Sequence, residues 1–86
     1  MFNKVIFSSR ISELRDTHNL LMKDMAKIVG ISIQGYSLLE KGVNTPSTNT
    51  LISIADYFNI SIDYLVGRSD DPTLHQPSKK DAAQRE

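Results

Sequence analysis

Very few side chains in this sequence are placed to do covalent chemistry. None of the 86 residues is a cysteine, which removes a thiolate nucleophile, a disulfide framework and a thiolate zinc site together. The two histidines, His18 and His75, lie far apart with no metal-ligand spacing around them. His18 has no nucleophile and no orienting carboxylate at a recognisable distance, so it reads as the surface end of a helix rather than a general base. Asp70 and Asp71 are neighbouring carboxylates without a third ligand motif and read as solvated. Met22 and Met25 read as packing. An enzyme needs a pocket with convergent polar groups, and a core this small is spent on packing. The chain is therefore expected not to be an enzyme, and to need no cofactor, metal or small-molecule substrate. Hydrogen bonding and ionic contact from the surface remain.

The surface charge is balanced. Ten Lys and Arg face ten Asp and Glu, and the formal net charge is zero. Residues 1–68 hold seven basic and six acidic side chains, about +1, and residues 69–86 hold three and four, about −1. A binder of phosphates would have to rely on a local basic face. Apolar residues make up 40% and charged residues 23%, ordinary for a globular domain. No apolar run approaches the roughly 18 residues of a membrane span. The start carries Lys4 and no cleavage site, which excludes a signal peptide, so a cytoplasmic protein with no membrane partner is expected.

The elements that must position any surface chemistry are helices. Phe7, Ile11, Leu14 and His18 share one face, which predicts a first helix over 8–17 capped by Ser8 or Ser9. Met22, Met25, Ala26 and Val29 predict a second over about 21–29, ended by Gly30. Ser32 caps a third, running to Lys41 and closed by Gly42, with Tyr36, Leu39 and Glu40 inward. After the breaker Gly42–Pro46, Ser47 caps a fourth helix with Leu51, Ile54, Ala55 and Phe58 buried. Ser61 caps a short fifth over 62–66, ended by Gly67. Tyr57 and Tyr64 read as half-buried. The fold class is thus all-α with five helices: an arm at 1–9, a domain at 10–67 and a flexible, disordered polar tail at 68–86.

Two short helices joined by a tight turn that starts with Gly, here about 21–41, fit the plan of the DNA-reading helix-turn-helix. Ala26 and Gly30 suit a close helix crossing. The strings that support this are Leu20, Met25-Ala26, Gly30-Ile31-Ser32, Tyr36-Ser37, Leu39-Glu40-Lys41-Gly42, Pro46-Ser47, Leu51, Ala55 and Ile60 through Gly67. With them, residues 10–67 resemble the Cro and CI repressor-type (XRE) helix-turn-helix domain, the lambda-repressor-like fold, without insertion.

The resemblance implies roles for individual residues. Arg15 and Glu40 stand where the family carries a structural ion pair. Ser32, Ile33, Gln34, Ser37 and Leu38 stand at the groove-facing positions of helix three, with Gly35 beside them. There Gln34 suits adenine, Ile33 and Leu38 suit thymine methyls, and Ser37 suits a base or a phosphate. Met22, Lys23, Lys41, Asn44 and Thr45 are the phosphate candidates, with Lys27 and the N–H groups at helix starts beside them. The chain departs from the family in having aliphatic rather than basic side chains on helix three, and Leu21-Met22 where helix two usually opens with Ser or Thr and Gln.

Two functions fit these residues. One is a transcriptional regulator of phage-repressor type that binds a double-stranded DNA operator, as a homodimer on half-sites about 34 Å apart. Candidate dimer surfaces are Phe2, Val5, Ile6 and Phe7, and the fifth helix around Ile62 and Leu65. The N-terminal residues could equally fold onto their own core. The other is a protein-interaction module of the same shape, antirepressor or antitoxin-like, suggested by Ile33 and Leu38 facing outward.

Overall fold

The computed structural model describes residues 2–73. Five helices succeed one another: α1 Lys4–Thr17, α2 Met22–Val29, α3 Ile33–Glu40, α4 Thr48–Phe58 and α5 Ile62–Leu65. No strand occurs among the described residues. Helix α2 packs on α3 and α4, while α1 packs on α3 and α5. Each helix contributes to one core: Phe7 and Ile11 from α1, Met25 and Ala26 from α2, Tyr36 and Leu39 from α3, Ile54 and Ala55 from α4, and Leu65 from α5, with Ile60 just before it.

Three serines start helices as the sequence reading expects. The hydroxyls of Ser32, Ser47 and Ser61 accept the N–H groups of Gly35, Thr50 and Tyr64, which relieves a helix start of unpaired donors. Helix α1 differs. It begins at Lys4, not Ser8, because the Asn3 side chain accepts the N–H of both Val5 and Ile6 at 3.0 Å. The Ser8 hydroxyl donates back to the Val5 carbonyl at 3.0 Å inside the helix. Most of the expected arm is therefore helix.

That extra turn buries residues expected at a dimer surface. Phe7 is fully enclosed, and Phe2 lies against it with ring centroids 5.6 Å apart. Leu65 is fully enclosed too. Ile6 approaches Gly67 so closely that a Cβ there would lie 3.0 Å from the Ile6 Cγ2, and Gly67 itself has φ of +86°. Val5 and Ile62 remain exposed.

Three smaller expectations are corrected. Gly30 has φ of +81°, and nothing lies within 4 Å of where its Cβ would be. It is needed for the left-handed end of α2, not for a close crossing. Tyr57 is 56% exposed, because it sits on the outer face of α4. Thr50 is buried, its hydroxyl accepting from Ser47 at 3.1 Å, a position the apolar pattern passed over.

The chain beyond Arg68 is at first tied down. Arg10 on α1 donates to the Ser69 carbonyl at 2.7 Å and to Asp70 at 2.9 Å, and its guanidinium lies 4.1 Å over the Tyr64 ring. The Ser61 N–H donates to the Pro72 carbonyl at 3.1 Å. Asp70 stays solvated as expected, its side chain 99% exposed, and is also the ion-pair partner of Arg10. The rest of the expected tail, with His75, lies outside the described residues.

Candidate nucleic-acid interface

Helix α3 has two faces with different work. Its inner face carries Tyr36 and Leu39, both buried, and Glu40, whose side chain is 6% exposed. Arg15 from the end of α1 grips Glu40 with two bonds, Nε to Oε2 at 2.6 Å and a terminal nitrogen to Oε1 at 3.1 Å. A further Arg15 nitrogen donates to the Leu20 carbonyl at 3.3 Å, in the connection to α2. The Tyr36 hydroxyl also donates to Glu40. One carboxylate thus joins α1, the α1–α2 connection and α3. Its hydrogen bond raises the Arg15 pKa, against the opposing effect of burial. Burial, reinforced by Glu40, pushes the Tyr36 phenol well above its usual range. The expected Arg15–Glu40 pair is formed, and Tyr36 is a third member that sequence reading missed. Its apolar spacing marked Tyr36 as core, and the i to i+4 distance to Glu40 was the available clue.

The outer face carries Ile33, Gln34, Ser37 and Leu38, with Lys41 one turn further on. Gln34, Ser37, Leu38 and Lys41 line one shallow concavity. Ile33 is 52% and Leu38 36% exposed. Gly35 turns away from them. It lines a separate groove with Ile31, Leu39 and Pro46, between α3 and the start of α4. Ser32 is exposed at the helix start with its oxygen committed to the Gly35 N–H at 2.9 Å.

The other polar candidates surround this face. Lys41, Asn44 and Thr45 are exposed in and beside the α3–α4 loop, and Lys23 is exposed at the start of α2. In that loop the N–H groups of Val43 and Asn44 both turn back to the Leu38 carbonyl, at 3.0 and 3.4 Å, so the side chains are what it offers outward. Met22 is half-buried against the core and could offer only its N–H. Leu21 has no side-chain acceptor for the start of α2; Asp24 accepts the Leu21 N–H at 2.8 Å and sets a negative charge there. Sequence reading missed Lys4. The extra turn of α1 brings its Nζ to 3.2 Å from the Val43 carbonyl, beside Asn44. No local signal pairs residues so distant in sequence.

The ionic inventory is uneven. Among the described residues Arg10, Arg15 and Arg68 each face a carboxylate, whereas Lys4, Lys23, Lys27 and Lys41 are in no ion pair. A braced helix with an open outer face, flanked by lysines in no ion pair, is an arrangement suited to a polyanion.

Residues 11–65 match the family model described as Helix-turn-helix. The chain belongs to the Cro and CI-type helix-turn-helix family. The chain is 39% identical over 59 residues to the cryptic phage CTXphi transcriptional repressor RstR of Vibrio cholerae, covering 69% of this chain and 53% of that one. It is 37% identical over 62 residues to the antitoxin PezA of Streptococcus pneumoniae, covering 72% of this chain and 39% of that one. It thus spans about half or less of these relatives' length. The crystal structure of a transcriptional regulator from Listeria innocua superposes with a TM-score of 0.70 at 26% identity, covering 92% of this chain and 73% of that one. The lambda-repressor-like, all-α helix-turn-helix fold holds. Among the described residues no helix is long and apolar enough to cross a membrane.

Proposed function

We propose that this chain is a sequence-specific, cytoplasmic transcriptional regulator of phage-repressor type that inserts α3 into the major groove of a DNA operator. The observation that carries this reading is the division of α3 into a clamped inner face and an open outer one. Ser32, Ile33, Gln34, Ser37 and Leu38 face base edges, while Lys41, Asn44, Thr45, Lys23 and the N–H of Met22 meet phosphates. Lys4 joins the phosphate set through its place on the α3–α4 loop. The negative charge of Asp24 shifts the weight of phosphate contact toward that loop. One short helix reads too few base pairs for useful specificity, so two copies act on paired half-sites.

The test is selection from a random duplex library at two salt concentrations, with anisotropy then measured on the enriched sequence. A palindrome with half-sites about one helical turn apart is expected. Gln34→Ala and Lys41→Ala should abolish its binding while the circular dichroism stays helical. A second reading, a protein-binding module, rests on the exposed Ile33 and Leu38 and on the likeness to an antitoxin. If no sequence is enriched and a protein partner is lost on Ile33→Ala and Leu38→Ala, that second reading replaces the first.

A further inference from the structure

The outer face of α3 has a definite chemical vocabulary. Guanine is read in the major groove by Arg or Lys donating to O6 and N7, and cytosine by a carboxylate accepting from N4. Neither type is at the base-facing positions. The sole acidic side chain of α3, Glu40, is turned inward and bound by Arg15 and Tyr36. Lys41 stands after the helix as its C-cap, whereas the N-terminal residues of such a helix are those that reach base edges. The exposed groups on the outer face of the helix are one primary amide, Gln34, and two aliphatic side chains, Ile33 beside it and Leu38 one turn on, with the half-buried Ser37 hydroxyl, which suits any base, between them. A primary amide matches N7 and N6 of adenine, and an aliphatic group matches the thymine methyl. Leu38 and Gln34 line one concavity together with Ser37 and Lys41, so an adenine and a nearby thymine methyl can be met together while Lys41, past the end of the helix, is left to the phosphates.

We infer that the base pairs under α3 are A·T pairs, with Gln34 reading an adenine and Ile33 and Leu38 covering thymine methyls. This rests on the DNA-reading function proposed above and goes further by committing the whole core under α3 to A·T pairs. It also explains how a chain without net charge can hold an operator, since methyl burial adds affinity that salt does not screen.

The experiment uses the full chain and the duplex most enriched from a random library. Each thymine in its half-site is replaced in turn by deoxyuracil, which deletes the methyl and keeps the pairing. The expected result is an A·T core in which one or two replacements each weaken binding about fourfold, the transfer value of one buried methyl group. Leu38→Ala and Ile33→Ala should each erase the uracil effect at the thymine that side chain covers; both positions are exposed, so the fold is kept. A core with required G·C pairs overturns the inference, as does an A·T core indifferent to uracil, which would point to groove shape instead. Failure to enrich any sequence removes the DNA-reading function itself, an outcome distinct from either.

Discussion

At the scale of single residues, Arg15, Tyr36 and Glu40 decide how α3 is held. Arg15→Met leaves Glu40 enclosed without its cation, and a loss of about 3–5 kcal/mol is expected by urea unfolding. Tyr36→Phe removes one donor to a charged acceptor, and about 1.5–3 kcal/mol should be lost near neutral pH. The same phenol has its pKa raised in the fold. Its contribution is therefore complete below the unfolded value of about 10 and is lost as the pH climbs beyond it. The native chain should lose stability there by up to about 1.4 kcal/mol per pH unit from this one group. Tyr36→Phe should lack that share of the alkaline slope, which urea titrations at several pH values would show. Gly30→Ala forces a left-handed L-residue into open space, so about 1–2 kcal/mol of pure backbone strain is expected, and Gly30→Asn should lose less.

At the scale of elements, the two ends of α1 do different work. Its last turn holds Arg15, and its first turn places Lys4 on the α3–α4 loop. Lys4→Ala should weaken binding to all duplexes alike and lower the salt slope by about 1 per subunit, measured by anisotropy at several salt concentrations. Most element boundaries were legible because they depend on local chemistry: Ser32, Ser47 and Ser61 each cap the start of a helix, and Gly30 ends α2. The Arg15–Glu40 pair was legible through family likeness, since its partners lie 25 residues apart. The start of α1 was misplaced because two good caps, Ser8 and Asn3, compete, and the choice is made by burial of Phe7 and Phe2. Arg10 gripping residues 64–70, Ile6 on Gly67 and Lys4 at Val43 are tertiary contacts with no periodic or local signature.

At the scale of the whole molecule, the proposed DNA reading would have to draw its balance of general and specific attraction from zero net charge and a few lysines in no ion pair. Binding to unrelated DNA should be weak and vanish at moderate salt, while operator binding persists through its base contacts. Sedimentation of the protein–operator mixture should show two chains per duplex; one chain per duplex would leave the reading of half-sites without support. The face of α3 that touches the core and the face that meets solvent share the helix but almost no side chains. Ile33, Gln34 and Leu38 are exposed, and none has a side-chain bond that the fold depends on. Substitutions there can accumulate without unfolding the domain. If α3 reads DNA as proposed, two duplicated copies could drift to separate operators by changing these residues, each becoming blind to the other's sites while the scaffold beneath stays the same.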